Sequence, residues 1–199
     1  MTDTARVTHD ALMQSVSHAL LDRQWQVATA ESCTAGLIGA TLTDSPGSSA
    51  WFDRGFITYS NEAKQAMLGV TLADLDHYGA VSEPVVTQMA AGALQHSLAD
   101  ITVAVSGVAG PDGGSAEKPV GTVWLGWAFA RQVTAGLDTA NATQRLDDGA
   151  ACCALRMHFS GDRISVRELA VEAALRGIMQ LATGQLPMAD TFFANAHRG

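Results

Sequence analysis

Gly47–Lys64, GSSAWFDRGFITYSNEAK, read together with Gln26–Gly36, QVATAESCTAG, decides the fold class. Asp44–Ser49 (DSPGSS) is dense in turn residues, and Trp51–Tyr59 mixes aromatic and β-branched residues, so it reads as a strand. Ser60 is then a good helix N-cap, and Asn61–Leu68 a short helix with Lys64 on its first turns, close to the strand end that holds Tyr59. Upstream, Gln26–Ala30 is a short strand, Glu31–Gly36 (ESCTAG) a tight loop, and the following LIGATL has helical spacing. Strands alternating with helices in this way point to an α/β protein.

Outward from this stretch, residues 8 to 24 form an amphipathic helix with Leu12, Val16, Ala19 and Leu20 on one face. A linker around Gly79 leads to Ser82-Glu83-Pro84, a helix start, and that helix runs to about Leu98. Ile101–Gly107 (ITVAVSG) is the continuous apolar run of a strand covered on both faces. Val120–Ala130 and Ala151–Phe159 read as an antiparallel pair, joined by an exposed, mobile connection over Arg131–Gly149. Asp162 or Ser160 caps a final long helix, while residues 185–199 have no clear pattern and are expected to be loose or to cover a neighbouring subunit. The expectation is one three-layer α/β/α sandwich with a mixed sheet over residues 1–184, followed by that tail.

Composition narrows the function classes. A chain of 199 residues with 47% apolar content can bury a real core, and a net charge of −8 argues against a general nucleic-acid binder. Three cysteines make no disulfide framework and no zinc-ligand spacing, so a reducing cytoplasm is expected. Neither an export signal nor an apolar stretch approaching eighteen residues is present, so no membrane role is expected. Lysine occurs only at positions 64 and 118, against ten arginines, which draws attention to places where an amine able to lose its proton is wanted.

Three loops could do chemistry. ESCTAG opens a helix, where main-chain N–H groups attract an anion, so Ser32, Cys33 and Thr34 could cradle a phosphate or an oxyanion; an ordinary capped helix would look the same. Ser48 and Ser49 stand just ahead of the Trp51 strand, and a serine without a nearby histidine can be activated by a desolvated lysine amine, here Lys64 with Tyr59 relaying or orienting. In Ser106–Ser115 (SGVAGPDGGS), Ser106, Gly107 and Gly110 could let a ligand approach the backbone, although a plain turn explains the glycines equally well. Lys118 and Arg163 are candidate anion contacts.

Taken together, TAESCTAG (Thr29–Gly36), GSSAWFDRGFITYSNEAK, GAVSEPVV (Gly79–Val86), SGVAGPDGGS followed by EKPVGTVW, and FSGDR (Phe159–Arg163) resemble the CinA C-terminal domain family. The likeness is dense from Gln26 to Arg131 and resumes at Phe159. It implies a metal-free, cofactor-free serine-lysine amidohydrolase that converts nicotinamide mononucleotide and water to nicotinate mononucleotide and ammonia, in pyridine-nucleotide recycling. It also implies a polar site at Ser32, Ser49, Tyr59, Lys64, Ser106 and Arg163. The nucleophile is then Ser49 activated by Lys64, the preferred reading, or Ser32 with Ser49 as relay. A homo-oligomer is expected. A nucleotide-binding or regulatory module of the same fold without turnover is the alternative.

Overall fold

In the computed structural model, which describes residues 3–139, 142–146 and 148–192, the sheet grows outward from β1 (Val27–Glu31). All five of its residues are buried, because both edges and both faces of β1 are covered. β2 (Phe52–Ile57) and β3 (Ile101–Gly107) flank it in parallel. β4 (Thr122–Phe129) runs antiparallel to β3, and β6 (Ala151–His158) antiparallel to β4, as the sequence suggested. The two-residue β5 (Gln144–Arg145) closes the far edge, and the order is β2-β1-β3-β4-β6-β5.

Strand alternation sorts the side chains of this mixed sheet into two cores. Val103 and Val105 face α1 (Asp3–Arg23), α2 (Leu37–Thr43) and α7 (Arg163–Ala182), where they meet Val16, Leu20, Ile38 and Leu175. Ala30 and Ala104 face the opposite layer of α3 (Asn61–Leu68), α4 (Leu72–Tyr78) and α5 (Glu83–Gln95), meeting Val86, Met89 and Ala90. This is the expected α/β/α sandwich. α5 lies so close to α3 at Gly92 that a Cβ there would come within 2.0 Å of the Leu68 carbonyl oxygen, so the C-terminal end of α3 rests on bare backbone.

Three expectations change. The region before Gly79 is no plain linker: Thr71 accepts the Asp74 N–H and starts α4, a Thr-x-x-Asp signal that turns the chain back onto α5. Arg131–Gly149 is no bare connection either, since α6 (Arg131–Thr134) opens it and β5 pairs with β6. Nor is the tail loose as far as it is described. Main-chain N–H groups of Gln185 and Met188 donate to Gln180, and α8 (Ala189–Phe192) buries Phe192 to 1% exposure against Trp127, ring centroids 6.0 Å apart. Residues 193–199 lie outside the described residues. No helix among the described residues is long and apolar enough to cross a membrane.

Candidate active site

Ser32 follows the last residue of β1, and its N–H donates to the Val105 carbonyl at 3.1 Å, so the β1–β3 ladder extends one step past the strand. Ala30 pairs with Ala104 in that ladder, and one period on, Ser32 and Ser106 stand as neighbours on the face toward α3 and α5. α3 delivers the amine. Ser60 caps it by accepting the Ala63 N–H at 3.1 Å, and Lys64 is turned inward to 1% exposure. Its Nζ donates to Ser32 Oγ at 3.2 Å, the Thr58 carbonyl at 2.9 Å and the Tyr59 carbonyl at 3.4 Å. Burial pulls the Lys64 pKa below the 10.5 of an ordinary lysine, against a smaller upward pull from Cys33 and Glu62.

The helix start beyond this turn is already occupied and is not open to a phosphate. The fully buried carboxylate of Glu31 accepts the N–H groups of Gly36 at 2.8 Å, Ile38 at 3.1 Å and Gly39 at 2.8 Å, so the start of α2 is filled by the chain's own anion. The N–H groups of Cys33 and Thr34, which open the turn, are not spent on any backbone carbonyl among the described residues. Ala35 adopts φ +51° and Gly36 φ +98°, two successive left-handed residues that bend the chain sharply into α2. Cys33 packs into the core beneath, and burial pushes its thiol up to about 11, the reverse of the acidified thiol that a helix start can produce. The turn is held from α7, where Arg167 Nη2 donates to the Thr34 carbonyl at 2.8 Å.

α7 also supplies Arg163, in its first turn, behind an Asp162 cap that accepts the Ser165 N–H at 2.8 Å. Arg163 donates to the Gly110 carbonyl at 2.9 Å and to the Tyr59 hydroxyl at 3.2 Å, drawing the glycine-rich loop and the end of β2 together. Tyr59 is 59% exposed, a rim residue. Ser106 is buried and its hydroxyl donates to the Ala80 carbonyl at 2.7 Å. The glycines serve the chain itself: a Cβ on Gly107 would meet the Thr122 carbonyl oxygen at 2.8 Å, and one on Gly110 would meet Val120 at 2.5 Å. Lys118 lies elsewhere, donating to the Tyr78 carbonyl at 2.5 Å.

Ser48 and Ser49 are not brought to Lys64 within the chain. They form a 3-10 turn before β2, level with the start of β1, whereas Ser32, Tyr59 and Lys64 gather beyond the other ends of those parallel strands. The six residues of β2 separate the two groups by about 20 Å. Two site residues escaped the sequence reading. Glu31 had a visible signal, an acidic residue closing an otherwise uncharged strand just before a helix; Arg167 had none, because only the packing of α7 on α2 brings it to the turn.

The model of the CinA C-terminal domain matches residues 9–182. The chain is 52% identical over 156 residues to the nicotinamide-nucleotide amidohydrolase PncC of Enterobacter agglomerans, covering 78% of this chain and 84% of that protein. It is 50% identical over 169 residues to the Escherichia coli K12 protein of the same name, covering 85% and 92%. Among solved structures, the competence/damage inducible protein CihA of Agrobacterium tumefaciens superposes with a TM-score of 0.75 at 40% identity, covering 87% of this chain and 94% of that one.

Proposed function

The chain belongs to the CinA C-terminal domain family, and we propose that it is a nicotinamide-nucleotide amidohydrolase, as its curated relatives are named. It hydrolyses the carboxamide of nicotinamide mononucleotide to the carboxylate and releases ammonia. The observation that carries the mechanism is the buried Lys64 amine 3.2 Å from Ser32 Oγ. A lysine kept from water gives up its proton more readily and can act as a base where no histidine is at hand.

In the neutral-amine form, Lys64 takes the Ser32 hydroxyl proton as Oγ bonds to the carboxamide carbon. Negative charge then develops on the amide oxygen, where the Cys33 and Thr34 N–H groups can meet it. The carbon–nitrogen bond breaks as the Lys64 ammonium returns its proton to the leaving nitrogen, and ammonia departs from a Ser32 ester. Water, deprotonated by the same amine, cleaves that ester to nicotinate mononucleotide and restores the serine. Tyr59 at the rim offers its ring face to the cationic pyridinium, and Arg163 offers a guanidinium to the phosphate. The start of α2, occupied by Glu31, is not available to that phosphate.

The test is ammonia release from nicotinamide mononucleotide by the purified chain, with Ser32→Ala expected to be slower by about a thousandfold. Release no greater than that of Lys64→Ala, with the nucleotide still bound, would instead identify a binding module. The reading retains the expectations of a homo-oligomer acting in the cytoplasm, which light scattering and cell fractionation check.

A further inference from the structure

The peptide between Thr34 and Ala35 is pinned on both sides. Its N–H donates to the Ser32 carbonyl at 3.1 Å, and its carbonyl accepts from Arg167 Nη2 at 2.8 Å and from the Leu37 N–H at 3.3 Å. This is the peptide that enters Ala35 at φ +51°, a conformation that a side chain bearing Cβ adopts only when its surroundings impose it. Arg167 keeps its place although its Nε is buried with no hydrogen-bond partner, a penalty that an apolar side chain of similar length would avoid. Arg163, one helical turn earlier, holds the other two edges of the same site through Gly110 and Tyr59.

We propose that Arg167 is a positioning residue for the amidase reaction: by holding the Thr34 carbonyl it locks the left-handed turn that aims Ser32 Oγ at Lys64 and the Cys33 and Thr34 N–H groups at the developing oxyanion. The proposal rests on the amidase reading. Arg167 acts through the turn, so its loss lowers the rate of the chemical step and leaves substrate affinity and the titration of Lys64 nearly untouched.

Arg167→Met is expected to lower kcat by about 10- to 100-fold, with KM and the pH midpoint of the rate held near those of the parent. Amide hydrogen exchange over residues 33–37 should quicken while the melting temperature moves little. Arg167→Lys, whose amine can still donate to the Thr34 carbonyl, should recover part of the lost rate. The proposal is overturned by a parent-like kcat in Arg167→Met, by a loss confined to KM, by unchanged exchange over 33–37, or by a Lys variant as slow as the Met one. Arg167→Gln takes the same readouts if the Met variant does not fold. Exchange reports the turn whatever the substrate is, so a failure of the amidase reading and a failure of this one are told apart.

Discussion

The two ends of β2 come from neighbouring sequence and are built for different work. At the N-terminal end, Ser48–Ala50 form a 3-10 turn with Ser49 exposed, anchored by Trp51, whose indole N–H donates to the Leu42 carbonyl at 2.9 Å. At the C-terminal end, Thr58 and Tyr59 turn their carbonyls onto a buried amine and Ser60 starts the helix that carries it. Fifteen residues separate Ser49 from Lys64 along the chain, whereas Ser32, thirty-two residues away, is the serine in contact. The segments that enter and leave a strand lie at its opposite ends, so a hydroxyl before β2 and an amine after it stand apart by the length of the strand.

The contrast breaks most sharply at Lys64. Lys64→Arg keeps a positive charge but cannot act as a base at accessible pH, and a drop in kcat of about a thousandfold is expected; near-parent activity would remove proton transfer from its role. In the parent, kcat/KM should climb along one alkaline limb whose midpoint lies below 10.5, because burial lowers the Lys64 pKa. Stability follows the same group. The folded chain releases this proton more readily than the unfolded chain, so burying the ammonium weakens folding in full below the folded midpoint, and the cost fades as pH rises toward 10.5. Urea midpoints of the parent relative to Lys64→Ala should therefore rise across that window.

A smaller effect belongs to Glu31. Removing its carboxylate in Glu31→Ala leaves three N–H groups at the start of α2 without an acceptor, at a cost of about 3 kcal/mol in urea unfolding. The melting point should fall by roughly 10 °C, with activity lost alongside because Ser32 is the next residue. The smallest change is expected at the other end of β2, where Ser49→Ala should keep kcat within about threefold of the parent. A large loss there would mean that Ser49 reaches the amine of a second copy of the chain.

Where local rules decide, the sequence was legible. Ser60 caps α3 as expected, Asp162 caps α7 in preference to the other candidate, Ser160, and the apolar run of ITVAVSG is a central strand. Lys64 stood out because lysine is scarce and its helix begins at the end of a strand. What stayed undecided or hidden depends on distance through the fold: the choice of Ser32 over Ser49 as the serine that meets the amine, the arginine behind the turn, and the seat of Phe192 on Trp127, which no pattern within residues 185–192 foretells. Glu31 lay between these cases, since an acid before a helix is visible but its burial follows only from β1 being central.

Where α3 crosses α5, the spacing between the helices is set by a hydrogen atom in place of a methyl group at Gly92. Lys64 is four residues, about one turn, before the Leu68 that rests there, so the height of the amine above Ser32 is governed from outside the pocket. Reactivity can thus be retuned by drift at a helix–helix contact that holds neither Ser32 nor Lys64, and a survey confined to those two residues would overlook the adjusting screw.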